Sequence, residues 1–121
     1  MRVEKVNLSQ KLGLFSDQWK PKIVADVNDH LVKLVKLQGD FVWHKHDAED
    51  EMFLCVGGRL TIHFRDGDVV LDPGEFVVVP RGVEHKPSAR EEAQVVLFEP
   101  RTTLNTGDAK SDRTVAVLDR I

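Results

Sequence analysis

The amino-acid sequence predicts an all-β protein whose strands form a sandwich or a barrel. Short apolar segments recur between about residue 20 and residue 99, and turn-forming groups rich in Gly, Asp and Pro separate them. This regular alternation is typical of sandwiches and barrels. A chain of 121 residues suits one core. We therefore expect a single domain over residues 1–121, with its barrel over about residues 22–100.

Seven apolar segments predict the strands. In chain order they are KIVADV (22–27), HLVKLVKL (30–37), EMFLCV (51–56), LTIHF (60–64), VVL (69–71), FVVVP (76–80) and AQVVLFE (93–99). The stretch LVKLVKL also fits a helical wheel, because its lysines are three residues apart. Too few residues separate the turn at 28–29 from Gly39 for a stable helix, so we predict a strand there.

The two ends of the chain predict little regular structure. Residues 8–15 predict one short helical turn. The last twenty residues carry few apolar side chains before TVAVL (114–118). We expect this tail to wrap the surface or to pair at a sheet edge.

The charge pattern limits the classes of partner that the protein is expected to bind. The net charge is −3, and the Lys and Arg residues are scattered rather than clustered, which argues against nucleic acid or an anionic membrane as a partner. A small molecule or a protein is the expected partner. No apolar run is long enough for a signal peptide or a membrane span, which favours the cytoplasm. The single cysteine excludes an internal disulfide.

The stretch WHKHDAEDEMFLC, residues 43–55, concentrates imidazole and carboxylate groups beside a predicted strand. In an extended chain His44 and His46 point to the same face. Glu51, Phe53 and Cys55 share a face of the next strand, which we expect to pair antiparallel with the histidine segment. Two neutral imidazoles and a carboxylate are ligands that suit a divalent transition metal.

A further histidine follows a tight corner in GEFVVVPRGVEHKP, residues 74–87. Pro80 and Gly82 build that corner. The corner can turn His85 back toward the barrel interior.

Together these residues resemble the two motifs of the cupin family. The resemblance covers about residues 30–100. The first motif reads Gly39, four residues, His44-Lys45-His46, four residues, Glu51, six residues and Gly58, where the family pattern has five residues in its first interval. The second reads Gly74, Pro80-Arg81-Gly82 and His85, with Ala89 where the family pattern has Asn.

The resemblance implies a double-stranded β-helix, or jelly-roll, barrel. It also implies that His44, His46, Glu51 and His85 bind one divalent transition metal. Neither the motifs nor the ligand types distinguish iron, manganese, nickel, zinc and copper.

Several other residues keep alternative roles at this stage. Glu49 and Asp50 are rival carboxylates, because a register slip of one residue would exchange Asp50 for Glu51. His30 and His63 are expected to be surface or packing residues. Cys55 either lies near the metal or fills the core as a small buried thiol.

Three cationic residues could hold a substrate carboxylate, although most such charges are simply solvated. They are Arg59, Arg81 and Lys86.

Two functions from different classes follow. The first is a metal-dependent enzyme on a small polar metabolite, a sugar derivative or a carboxylic acid, with isomerase, lyase or dioxygenase chemistry. The second is a non-catalytic barrel that binds a ligand or serves a sensory partner and keeps a structural metal. A site sealed by Phe53 and Phe76 would favour the second. We also expect a two-fold homodimer, because an outward patch of Phe41 and Trp43 would be costly in water.

Overall fold

The computed structural model describes residues 3–121 of the chain. It contains one short helix and seven strands. They are α1 (Leu8–Leu12), β1 (Lys22–Val27), β2 (His30–Asp40), β3 (Glu51–Gly57), β4 (Leu60–Phe64), β5 (Gly67–Leu71), β6 (Phe76–Val79) and β7 (His85–Pro100). All seven predicted strands are present, and the ambiguous segment 31–37 is a strand.

The pairing of the strands is antiparallel throughout and confirms the predicted jelly-roll class. The order in the sheet is β1-β2-β7-β3-β6, while β4 pairs with both β5 and β7. Strand β7 therefore joins β2, β3 and β4. It is the central strand of the barrel.

Strand β7 begins eight residues before the predicted segment AQVVLFE. Its first part, HKPSAREE, is polar and contains Pro87, so local propensity argues against a strand. Pairing with β4 and β2 over these residues overrides that propensity. As a result His85 is the first residue of β7 rather than part of the preceding loop.

Apolar side chains fill the barrel and also cover one outer face. The inner core takes alternate residues of the strands, among them Val35, Phe53, Cys55 and Val95. A second cluster on the outside packs α1 through Leu12 against the sheet. Burial of these side chains is the main force that holds the strands together.

The helix α1 is the predicted helical turn, and the side chain of Asn7 caps it by accepting a hydrogen bond from the Gln10 N–H (2.9 Å). Within residues 3–121 no helix has the length and apolar character to cross a membrane. After β7 the chain is irregular, and its end pairs at the β1 edge through Ile23 and Arg120. Edge pairing of the tail is thus confirmed.

The expected exposed patch of Phe41 and Trp43 is wrong. The Phe41 ring stacks on Trp19 at a centroid distance of 4.9 Å. The Arg65 guanidinium covers Trp43 at 3.8 Å from the ring centroid. Both aromatic side chains are half-buried and have partners within the chain, and the homodimer stays a prediction.

Candidate metal centre

Three separate segments bring the four motif residues together. His44 and His46 lie in the irregular segment between β2 and β3, Glu51 begins β3, and His85 begins β7. The histidine segment does not pair with β3, which corrects the sequence-based expectation. It pairs instead with β7, where His44 and His85 exchange two main-chain hydrogen bonds of 3.0 and 2.9 Å.

The four side chains form one compact and buried group. Each offers one nitrogen or oxygen donor atom, and these four atoms all lie within 4.8 Å of one another. The exposed fractions of His44, His46, Glu51 and His85 are 3, 4, 3 and 0%. Three imidazoles and one carboxylate at this spacing are suited to a divalent transition metal.

Backbone carbonyl groups set the tautomers of two of the histidines. The Nδ1 of His44 lies 2.8 Å from the Val42 oxygen, and the Nδ1 of His85 lies 2.9 Å from the Val83 oxygen. A carbonyl oxygen only accepts, so each Nδ1 carries the hydrogen. In the neutral rings the lone pair is then on Nε2, and such hydrogen bonds orient imidazoles for a metal.

The remaining contacts test whether a cation fits the group. The Glu51 Oε1 lies 3.2 Å from Nε2 of both His46 and His85. The Nε2 lone pair of His85 at this distance from a carboxylate oxygen repels it unless a proton or a metal ion lies between them. Both ring nitrogens of His46 are also buried without a hydrogen-bond partner. The residues therefore fit a metal ion.

The pKa of His44 favours metal binding. Burial, followed by the nearby His85, lowers the pKa of His44 from 6.5 to about 4. The ring is therefore neutral at pH 7, the form that binds a metal.

Two charged residues that the sequence analysis missed extend the group. Glu99 and Lys33 are each 1% exposed, and the Lys33 Nζ donates to Glu99 Oε1 at 2.7 Å. Burial and the adjacent Glu51 raise the pKa of Glu99 well above its usual range. Burial opposes ionisation of Glu51, but the neighbouring side chains of Glu99, His46 and His85 hold the pKa of Glu51 well below its usual range. Glu51 is therefore the more acidic of the two carboxyl groups.

A small, mostly apolar cavity adjoins His44 and Glu51. Its volume is about 40 Å³, and Trp19, Phe41 and Leu97 form part of its wall. Ligand pockets generally occupy about 300–1,000 Å³, so this cavity holds only a small part of a metabolite.

The rival carboxylates point away from the group. Glu49 accepts a hydrogen bond from the Thr102 hydroxyl (2.9 Å), and Asp50 accepts one from the Arg81 N–H (2.9 Å). Glu51 pairs with Val79 in the β3–β6 ladder. The register that places Glu51 inside is therefore the observed one.

The other histidines and Cys55 stand apart from the four-residue group. His30 contacts Asp29 at 2.9 Å, and His63 contacts Asp68 (2.8 Å) and Ser88 (2.7 Å). Cys55 is fully buried in the inner core, and burial raises the pKa of its thiol. Cys55 is therefore a core residue.

The cationic candidates pair with local carboxylates. Arg59 donates to Asp72 (2.8 Å), and the Lys86 Nζ lies 3.8 Å from Asp40. Arg81 lies 4.0 Å from Asp50. None of the three lines the cavity beside His44.

The motif glycine and alanine positions also agree with the local geometry. Gly82 has a φ of +79°, a conformation that favours glycine, and its N–H donates to the His46 oxygen at 2.8 Å. Ala89, where the family pattern has Asn, is buried and pairs with Gly39.

Comparison with known proteins identifies relatives that match most of the chain. The Cupin domain family model matches residues 31–101. The crystal structure of a cupin-2 domain containing protein from Shewanella frigidimarina is 47% identical. It superposes with a TM-score of 0.79, and the match covers 79% of this chain and 94% of that one.

Curated relatives match over shorter stretches. The uncharacterized protein YdbB of Bacillus subtilis is 36% identical over 64 residues, which are 52% of this chain and 57% of that protein. The acireductone dioxygenase of Bacillus licheniformis is 31% identical over 83 residues, 64% of this chain and 46% of the enzyme. The chain thus spans about half the length of the curated relatives that it matches.

Proposed function

This chain belongs to the cupin family, and we propose that it is a metal-dependent enzyme acting on a small polar metabolite. The substrate is a carboxylic acid or a sugar derivative that binds through its oxygen atoms. His44, His46, Glu51 and His85 hold the metal. Of the reactions open to such a centre, dioxygenase chemistry has the most support, ahead of isomerase or lyase chemistry.

One observation carries the proposal. Four buried donor atoms lie within 4.8 Å of one another, and both ring nitrogens of His46 lack a hydrogen-bond partner. A buried polar group without a partner costs free energy of about 1–3 kcal/mol. A metal ion bound to Nε2 would offset that cost for one nitrogen.

The choice of dioxygenase chemistry rests on two further points. Acireductone dioxygenase is among the curated relatives. The cavity beside His44 is small and mainly apolar, which suits a small apolar molecule next to the ligands better than a charged one. A bound redox metal with open positions would supply oxygen activation, whereas a redox-inert ion would act as a Lewis acid.

The protein's own residues would orient the ligands and limit access of water. The Val42 and Val83 carbonyl oxygens fix the rings of His44 and His85. Trp19 and Phe41 wall the cavity and keep it apolar. Glu51 would supply the negative charge that partly neutralises the metal.

The second candidate, a non-catalytic cupin with a structural metal, has support from the cavity volume of about 40 Å³. The two functions make different predictions. An enzyme must admit a substrate beside the metal, whereas a structural metal needs no such space. Phe76 is 61% exposed and lies on the outer surface, so it does not seal the site as the second candidate would require. Phe53 is buried and contacts His85 edge-on, with ring centroids 5.9 Å apart.

Elemental analysis of protein purified without a metal-affinity tag tests the proposal. We expect about one equivalent of metal per chain in the wild type and loss of that metal in His46→Ala. His30→Ala is the matched control, because it makes the same chemical change at an imidazole remote from the centre. Loaded protein is then screened for oxygen consumption with small 2-oxo and 2-hydroxy acids and sugar acids.

The outcomes separate the candidates. Metal loss confined to His46→Ala, together with oxygen consumption, supports the dioxygenase. Stoichiometric metal without turnover or ligand binding favours the structural role. Absence of metal from the wild type, even after soaking with each divalent ion, would overturn both.

A further inference from the structure

The segment 103–115 lies beyond the part of the chain that matches the family model and folds back onto the histidine segment. It has no regular secondary structure, but its own hydrogen bonds hold it together. The hydroxyl groups of Thr106 and Thr114 are 2.6 Å apart, and Thr106 is fully buried. The Asn105 side chain donates to the Arg113 oxygen (2.8 Å) and accepts from the Val115 N–H (2.9 Å). The segment is therefore a preformed loop rather than a loose tail.

This loop holds the main chain between the two motif histidines. Asp108 accepts a hydrogen bond from the Lys45 N–H through its side chain (2.9 Å), and its own N–H donates to the Lys45 oxygen (3.1 Å). Both polar main-chain groups of Lys45 are thus paired with one residue. The loop sets the position of the link between His44 and His46.

The approach of the loop is unusually close. Gly107 has a φ of +55°. A Cβ atom at this position would lie 2.2 Å from the Lys45 oxygen and 3.1 Å from Cδ2 of His44. Only glycine permits the loop to pack so closely on the histidine segment.

A second contact reaches the same segment through aromatic rings. The Arg113 guanidinium lies 4.7 Å from the Trp19 ring centroid. Trp19 stacks on Phe41, and Phe41 contacts His44 edge-on at a centroid distance of 5.4 Å. The loop is therefore linked to His44 in two ways, through the main chain of Lys45 and through the Trp19 and Phe41 rings.

We propose that the segment 103–115 is a clamp on the metal centre and that Asp108 is its positioning residue. This inference rests on the proposed metal-binding role of His44 and His46. The clamp holds the two imidazoles at their observed separation before a metal binds. The protein therefore loses less conformational entropy when the metal binds. Groups that orient metal ligands from outside the ligand set typically change metal affinity about 10- to 100-fold.

A graded set of variants tests the clamp. Asp108→Ala removes the carboxylate acceptor, and we expect the Kd for Co²⁺ or Zn²⁺, measured by competition with a chelator, to rise about 10- to 100-fold. Asp108→Asn retains an oxygen acceptor, so we expect a Kd within about threefold of wild type. Asp112→Ala, an exposed carboxylate in the same loop, should leave the Kd unchanged.

Two readouts distinguish positioning from general stability. Hydrogen exchange of the Lys45 amide should accelerate in Asp108→Ala, while the free energy of unfolding of the metal-free protein changes little. Thr106→Val loosens the loop without touching Lys45 and should weaken metal binding only a few-fold. Thr106→Val also keeps the test decisive if Asp108→Ala does not fold.

The failures are distinguishable. Wild-type protein that binds no metal overturns the proposed function and the clamp with it. Wild-type protein that binds metal, combined with an unchanged Kd in Asp108→Ala and Thr106→Val, overturns the clamp alone. Equal loss of affinity in Asp108→Asn and Asp108→Ala would also overturn it, because the hydrogen bond would then not be the cause.

Discussion

Two groups of histidine and carboxylate side chains lie on opposite faces of the barrel wall. The inner cluster consists of His44, His46, Glu51, His85, Glu99 and Lys33, and the outer cluster consists of His63, Asp68 and Ser88. In the outer cluster both ring nitrogens of His63 have a partner, at 2.8 and 2.7 Å. In the inner cluster His46 has none, and one Glu51 oxygen lies near two imidazoles.

The difference shows what makes an imidazole available to a metal. A histidine beside a carboxylate is not sufficient for metal binding. The outer cluster contains such a pair, but there both ring nitrogens of the histidine already have hydrogen-bond partners. The inner cluster is buried and supplies fewer hydrogen-bond partners than its nitrogens require. The candidate metal centre differs from the outer cluster in having ring nitrogens that lack hydrogen-bond partners and lie close to other donor atoms, and not in its residue types.

The largest expected effect comes from breaking the buried ion pair of the inner cluster. Glu99→Leu leaves Lys33 buried without a counter-ion, and we expect the free energy of unfolding to fall by about 3–5 kcal/mol. Asp68→Ala breaks the partly exposed contact of the outer cluster and should cost less than about 1 kcal/mol. Urea denaturation measures both. A double variant, Lys33→Met with Glu99→Leu, should recover most of the loss, and equal costs for the two single variants would contradict the comparison.

The next largest effect is a difference in metal affinity between variants of Glu51 and variants of Asp68. Glu51→Gln keeps the shape of the side chain but removes its charge, and we expect metal affinity to fall by more than about 100-fold, beyond the usual effect of residues outside the ligand set. Asp68→Asn is the matched change in the outer cluster and should have no effect. Chelator competition gives both values. Similar losses in the two variants would place the metal elsewhere.

The metal-free protein should lose stability as the pH falls from about 6.5 to about 4. In the unfolded chain His44 takes up a proton near 6.5, whereas in the folded protein its pKa is about 4. Between these values unfolding binds a proton, so the free energy of unfolding decreases by up to about 1.4 kcal/mol per pH unit. Denaturation at several pH values measures the slope. His44→Gln cannot titrate and should show a shallower slope; an unchanged slope would exclude His44 as its source.

The smallest effect is expected in the outer cluster. Ser88→Ala removes one partner of His63 and should lower the free energy of unfolding by about 1 kcal/mol. When Ser88→Ala is combined with His46→Ala, we expect no metal site at the outer cluster. One freed nitrogen of His63 beside the Asp68 carboxylate offers too few ligands. Elemental analysis checks this. Metal bound by the double variant would show that a free nitrogen alone is sufficient.

Local patterns in the sequence predict most of the fold. Alternation and turn residues place the strands, and the segment 31–37 is a strand because a turn and Gly39 leave no length for a helix. The start of β7 at His85 is missed, since its polar residues become a strand only through pairing with β2 and β4. Phe41 and Trp43 are predicted as exposed because their partners, Trp19 and Arg65, are distant in the sequence.

The resemblance to the two cupin motifs predicts that the side chains of His44, His46, Glu51 and His85 meet, and in the structure they do. Their partners are less predictable. Lys33 and Glu99 are 66 residues apart and look like ordinary surface charges in the sequence. Asp108 is 63 residues from Lys45. Such contacts follow from the closed barrel and have no local signature.

The central place of β7 has a consequence for the order of folding. It is the last strand in the chain, yet β2, β3 and β4 all depend on it for pairing. Such non-local pairing is slow to form, because a long loop must close before it contributes stability. His85 opens this strand, 34 residues after Glu51. During synthesis the first three motif residues therefore emerge before the fourth, and the complete donor set exists only once the barrel has closed.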